Sequence, residues 1–106
     1  MIARFWSART TPALCDSYLH HFREAVRPEL RRVGGFLGAT VCTRALTASV
    51  EILVTTYWNS FAAVDAFAGA DREAAVVAAE AAVLLTDFDK RVRHYEVALA
   101  EFPANQ

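Results

Sequence analysis

The sequence has few of the features that mark secreted, membrane or metal-binding proteins. Its 106 residues include two cysteines, Cys15 and Cys42, which are too few for a disulfide framework. The longest apolar stretch is mostly alanine and is interrupted by Glu80, and Arg4 follows closely on Met1. We therefore expect no transmembrane helix, no secretory signal and a cytoplasmic location.

Charge excess and standard catalytic motifs are also missing. Eleven Lys and Arg stand against twelve Asp and Glu, so the formal net charge of -1 gives no reason to expect a nucleic-acid or membrane partner. Gly34 and Gly35 follow a helix pattern and are too short a run for a phosphate loop. No Cys or His spacing fits zinc, and no serine elbow is present. We expect no metal and no resident cofactor.

The composition is that of a packed globular chain. Hydrophobic residues make up 55% and charged residues 22%. The length predicts one domain, which we place at residues 1–100, followed by a frayed tail at 101–106. A mean hydropathy of +0.21 is high for so short a chain, which has little interior to hide apolar surface. Association into a dimer is the expected consequence.

Hydrophobic periodicity predicts an α+β fold. Strands are predicted at 2–7, 36–44, 50–58 and 92–99. Helices are predicted at 12–27, with an interruption at Pro28 and a further turn to Arg32, at 60–68, and at 71–88. The resulting β-α-β-β-α-β order is the split βαβ, or ferredoxin-like, arrangement. It implies an antiparallel four-stranded sheet with its helices on one face.

The predicted strands are apolar on both sides, as Ile52 and Leu53 illustrate. A sheet whose second face met water would alternate apolar and polar residues. We therefore predict that the uncovered face packs on a second copy of the chain, with the two sheets about 10 Å apart.

Three segments resemble a known family. They are the opening Met-Ile-Ala-Arg-Phe-Trp strand, Val50–Trp58 with the following Asn-Ser and aromatic helix, and the closing His94-Tyr95-Glu96-Val97. Over nearly its whole length the chain resembles the antibiotic biosynthesis monooxygenase domains of the dimeric α/β-barrel superfamily. The resemblance implies a homodimeric barrel and a small pocket between helices and sheet in each subunit. It also implies oxygenation of aromatic, polyketide-like substrates without metal or flavin.

The haem-degrading members of that superfamily place an Asn on the first strand, a Trp in the helix after the third strand, and a His about three turns further along. Here the first strand has no Asn, the Trp position falls on Phe67, and the His position falls on Val76 or Val77. The resemblance therefore does not favour haem degradation.

His21 and His94 are the candidate catalytic residues. His21 lies at the edge of the apolar stripe of the first helix, where its ring is either a base facing a pocket or a half-buried structural residue. His94 shares one side of the last strand with Glu96, so it is either a tuned base or part of a polar pair. Arg4, on an otherwise apolar strand side, needs a partner if buried, and Glu96 is the expected one.

Six aromatic residues are predicted to contact a substrate, or otherwise to pack in the core or interface. They are Tyr18, Phe22, Tyr57, Trp58, Phe67 and Tyr95. The tyrosines are candidate hydrogen-bond donors to an anion.

The leading functional hypothesis is a small homodimeric, cofactor-independent monooxygenase acting on an aromatic or hydrophobic compound. The alternatives are a non-catalytic dimeric module that binds a ligand or serves in stress, and a haem-binding protein.

Overall fold

The fold is known from a computed structural model, which describes residues 1–103. Within them the strands are β1 (Ile2–Thr10), β2 (Phe36–Ala45), β3 (Val50–Trp58), β4 (Asp87–Phe88) and β5 (Arg93–Glu96). The helices are α1 (Pro12–His21), α2 (Arg27–Arg31), α3 (Phe61–Ala68) and α4 (Ala79–Ala82). A π-helical turn, Phe22–Val26, joins α1 to α2. Residues 104–106 of the predicted tail lie outside the described residues.

The strands form one antiparallel sheet in the order β2-β3-β1-β4, and β5 also pairs with β1. This is the predicted ferredoxin-like arrangement, and the α+β prediction is confirmed. The strand count differs, because five strands are present among residues 1–103 instead of four. The last predicted strand is shorter than 92–99, and β4 comes from the end of the segment predicted to be helical.

Capping residues set the ends of α1 and α3. The Thr11 hydroxyl accepts from the Leu14 amide, with Pro12 at the first helical position, where its missing N–H costs nothing. The Ser60 hydroxyl accepts from the Ala63 amide in the same way. Gly69, with φ of 87°, ends α3 in a conformation that favours glycine.

The first helical region bends where the sequence predicts an interruption. The Arg27 amide donates to the Phe22 carbonyl, five residues back, which defines the π-helical turn. Pro28 then lies in the first turn of α2, where an N–H is not needed. The bend keeps both Phe22 and Leu30 buried against the sheet.

The predicted helix at 71–88 is wrong for most of its length, since only Ala79–Ala82 is α-helical. The Ala75 amide donates to the Lys90 carbonyl at 2.9 Å, and the Val92 amide donates to the Glu73 carbonyl at 2.8 Å. These tertiary backbone bonds hold the start of the segment extended against the chain that leads into β5. They outweigh the helix propensity of its alanines.

The hydrophobic core lies between one face of the sheet and the helices. Ile52, Trp58 and Val64 have no exposed surface there. The opposite face of the sheet, here called the open face, carries exposed Leu37, Leu53 and Tyr95. No helix within residues 1–103 is long and apolar enough to cross a membrane.

Candidate functional site

A cavity of about 70 Å³ lies between the sheet and the helices. Its wall comes from β1, β3, α1, the π-helical turn, α2 and α3, and from the irregular chain between α3 and α4. Apolar and aromatic side chains dominate the lining, among them Trp6, Tyr18, Phe22, Phe67, Val76 and Val77. Arg4 and His21 bring charge and proton-transfer chemistry to it. Such a site offers a ligand an apolar environment with few polar contacts.

Arg4 is a buried cation on the cavity wall, with 5% of its surface exposed. Its Nη1 donates to the Arg72 carbonyl and its Nη2 to the Ala74 carbonyl at 2.8 Å. Its guanidinium carbon lies 5.7 Å from the centre of the Phe67 ring. Burial lowers the pKa of Arg4 to about 10, which still leaves the guanidinium charged at neutral pH. None of the ion pairs formed within residues 1–103 includes Arg4.

His94 lies opposite Arg4 in the β1–β5 pairing, and its Nε2 is 2.9 Å from Arg4 Nη1. Because guanidinium only donates, His94 Nε2 accepts, which assigns the proton of the neutral ring to Nδ1. Burial, followed by the charge of Arg4, lowers the pKa of His94. His94 is therefore neutral at pH 7. The expected Arg4–Glu96 pair is wrong, because Glu96 is exposed and pairs along the strands with Ile2.

His21 is the last residue of α1, and its ring reaches the cavity wall. Its Nε2 is buried and has no hydrogen-bond partner in the described part of the chain. The neighbouring His20 is exposed, since adjacent helical residues point in different directions. The His21 ring thus lines the cavity, and its Nε2 has neither a hydrogen-bond partner within residues 1–103 nor appreciable accessible surface.

Tyr18 and Trp6 form the aromatic wall beside His21. The Tyr18 ring centre lies 6.5 Å from that of His21 and 6.3 Å from that of Trp6. Burial raises the pKa of Tyr18 to about 12, so its hydroxyl stays protonated. Trp6 is held in place because its Nε1 donates to the Asp89 carbonyl at 2.8 Å.

The structure brings four of the eight predicted site residues to the cavity: Tyr18, His21, Phe22 and Phe67. Trp58 lies behind the wall, fully buried, and donates from Nε1 to Thr56 Oγ1 at 2.9 Å. Tyr57 and Tyr95 lie on the open face, where they line a groove. His94 reaches the site through its contact with Arg4.

Sequence reasoning missed Arg4 as a cavity residue. The signal for Arg4 was present, because a single charge on an apolar strand side demands an explanation. The position of the Arg4 side chain at the cavity depends on residues distant in the sequence, since the carbonyls that accept its hydrogen bonds belong to Arg72 and Ala74.

The described residues offer no site that fits a metal or haem. No three His, Cys, Asp or Glu side chains between residues 1 and 103 come together to hold a metal ion. The wall where the haem degraders of the superfamily have Trp and His is formed by Phe67, Val76 and Val77.

Solved structures that superpose on this chain include antibiotic biosynthesis monooxygenases and a haem degrader. A candidate antibiotic biosynthesis monooxygenase from Bacillus cereus superposes with a TM-score of 0.66 at 13% identity, over 96% of this chain and 97% of that one. These values confirm the resemblance read from the sequence at the level of fold.

Two further relatives have ligands bound. A monooxygenase from the gene ActVA-Orf6 of Streptomyces coelicolor, in complex with nanaomycin D, has a TM-score of 0.63 and 19% identity, covering 97% of this chain and 92% of that one. The haem degrader MhuD of Mycobacterium tuberculosis, with two haems in its active site, has a TM-score of 0.60 and 24% identity, covering 96% and 100%. No protein-family model and no curated protein sequence matches this chain.

Proposed function

We propose that this protein is a cofactor-independent monooxygenase that oxidises a small aromatic compound in the helix–sheet cavity. The observation that carries the proposal is the free, buried Nε2 of His21 at an aromatic cavity wall. A ring nitrogen without an internal partner accepts a substrate proton once movement of the cavity wall exposes it. The fold, shared with monooxygenases, supports the same conclusion.

The chemistry requires a substrate with an acidic C–H or O–H group, as in an anthrone. Transfer of that proton to His21 leaves an enolate-like anion that gives electrons to O2. Oxygen then bonds to the reacting carbon, and the peroxide formed loses water to leave a carbonyl. The net change, CH2 + O2 → C=O + H2O, is balanced because the substrate supplies all four electrons. Neutral Tyr18 is the hydrogen-bond donor that stabilises the anion.

An aromatic substrate must enlarge the cavity. A single benzene ring occupies an engineered cavity of about 150 Å³, an anthrone has three fused rings, and this cavity has about 70 Å³. Residues 76–78 form the part of the wall best placed to move. Val76 is 52% exposed, and the backbone hydrogen bonds to residues 90 and 92 anchor residues 75 and 73, which precede this part of the wall. We propose that it shifts outward when a ring binds.

Oxygen uptake with anthrone as substrate tests the function. We expect uptake by the wild type and a loss of about 100-fold or more in His21→Ala, as for removal of a general base. His20→Ala is the matched control, because His20 is adjacent but exposed, and it should retain full activity. Absence of uptake by the wild type refutes the oxygenase function.

The small cavity favours a second candidate, a non-catalytic module that binds a compact ligand. It predicts that the protein binds a small aromatic compound without consuming oxygen. Calorimetric binding measured beside oxygen uptake separates the two functions.

We also propose that the protein is a homodimer joined through the open face. That face holds a groove of about 1190 Å³, lined largely by apolar side chains of β1, β2, β3 and residues 97–102, with charged Arg93 and Glu96 of β5 at its side. Exposed apolar surface of this extent is typical of an interface. Sedimentation equilibrium at micromolar concentration is the test, and a monomer overturns the proposal.

A further inference from the structure

We infer that the helix–sheet cavity binds an anionic ligand, an aromatic carboxylate or similarly ionised compound, whose negative group takes Arg4 as its counter-ion. The inference deepens the proposed function, on which it rests for the choice of cavity. It adds the substrate class, because it predicts that the preferred ligand carries a negative charge before any proton is removed and that neutral anthrone is a poorer substrate than an aromatic carboxylate.

The first argument is the cost of an unpaired buried charge. A cation removed from water is strongly destabilised unless an opposite charge compensates it. Only 5% of the Arg4 surface is exposed, and its hydrogen-bond partners are two backbone carbonyls and a neutral imidazole. None of these carries a negative charge. The site therefore holds a net positive charge next to an apolar cavity.

The nearby carboxylates are committed to other cations. Asp65 accepts two hydrogen bonds from Arg72, each of 2.8 Å. Asp71 pairs with Arg91, and Glu73 lies 3.5 Å from the same guanidinium. These pairs leave no carboxylate within ion-pair distance of Arg4 in the chain up to residue 103.

Arg4 also keeps donors for a ligand. Its three hydrogen bonds account for three of the five N–H groups of a guanidinium. Two N–H groups are thus left, which is the number a carboxylate accepts in a paired geometry.

The rest of the cavity fits the apolar part of such a ligand. Trp6, Tyr18, Phe22 and Phe67 offer ring faces and edges, and besides Arg4 the polar groups are few: the hydroxyls of Tyr18 and Thr56 and the ring of His21. A flat ring with one ionised group satisfies both the aromatic wall and the cation. A neutral hydrocarbon would leave the charge of Arg4 uncompensated.

Equilibrium binding of benzoate and benzamide is the direct test, because the two differ mainly in charge. We expect calorimetry to show benzoate binding at least about tenfold more tightly, as for a charge-assisted hydrogen bond. Arg4→Gln should abolish this preference, and circular dichroism should confirm that the variant folds. Arg9→Gln is the matched control on the same strand, because its half-exposed side chain pairs with Asp87 away from the cavity, and it should keep the preference.

Three results would overturn the inference: equal binding of benzoate and benzamide by the wild type, binding of neither, or a preference that survives in Arg4→Gln. The wild-type comparison stands even if Arg4→Gln fails to fold. Neither measurement needs oxygen or turnover. Benzoate selectivity that depends on Arg4 therefore supports the anion site even when oxygen uptake is absent and the oxygenase function fails.

Discussion

Two neighbouring residues of β3 allow the core of the protomer and the proposed dimer interface to be tested independently. Ile52 points into the helix side of the sheet and has no exposed surface, whereas Leu53 points to the open face and is 39% exposed. Truncating each to alanine removes similar apolar volume from opposite faces of one strand. The two variants should therefore fail in different ways.

The expected magnitudes follow from burial. Ile52→Ala should lower the free energy of unfolding by about 3–4 kcal/mol, the cost of truncating a fully buried aliphatic side chain. Complete burial of a leucine side chain stabilises by roughly 2 kcal/mol. Burying the 39% of Leu53 that is exposed should therefore stabilise the dimer by about 0.8 kcal/mol per protomer. With two copies per interface, Leu53→Ala should raise the dimer dissociation constant roughly tenfold.

Urea unfolding and sedimentation equilibrium measure the two effects separately. Ile52→Ala should shift the urea midpoint and leave the dimer constant of its folded form near that of the wild type. Leu53→Ala should weaken the dimer and make the unfolding midpoint less dependent on protein concentration, because the monomer then predominates over more of the concentration range. An unchanged dimer constant in Leu53→Ala would show that the open face is not the interface.

Three further predictions concern stability. Gly35→Ala should lower the free energy of unfolding by about 2 kcal/mol or more, because Gly35 has φ of 92° and an added Cβ would lie 2.5 Å from Asn59 Oδ1. Gly34→Ala is the control, because there is open space around Gly34, and equal urea midpoints for the two variants would contradict the argument. Thr10→Val should lower the free energy of unfolding, measured in urea, by about 1–2 kcal/mol, because the buried Thr10 hydroxyl donates to the Leu84 carbonyl at 2.7 Å. A loss near zero would mean that this carbonyl finds another donor in the variant. The pKa of His94 is lowered in the folded chain, so the unfolded chain binds more protons as the pH falls through about 6.5. The free energy of unfolding should therefore drop below that pH and level off beneath the folded pKa. His94→Gln should remove this pH-dependent part, and an identical pH dependence in the variant would refute the argument.

Much of the fold follows from local pattern. The alternation of 50–58 predicts β3 with the bounds that the structure gives, and the caps at Thr11 and Ser60 mark the starts of α1 and α3. These features depend on side-chain periodicity and on hydrogen bonds between residues three apart. They can be read from sequence because no distant chain is needed to form them.

The alanine-rich segment shows where that reasoning stops. Its local preference is helical, yet residues 73 and 75 bond to residues 92 and 90, and Phe88 pairs with Ala8 of β1. Helix propensities differ by fractions of a kcal/mol per residue, so long-range bonds of this kind override them. The same contacts bring the wall of Val76 and Val77 to the cavity.

The candidate site divides in the same way. The sequence alone placed Tyr18 and Phe22 on one helical face, with His21 at its edge, and indicated that both sides of the sheet are apolar, since those properties follow from the periods of helix and strand. Only the tertiary structure decided which of the predicted aromatics reach the cavity, and it turned Arg4 away from Glu96 toward His94 and two carbonyls. The physical reason is that the environment of a buried charge is set by whichever distant groups the packed chain brings within hydrogen-bond range.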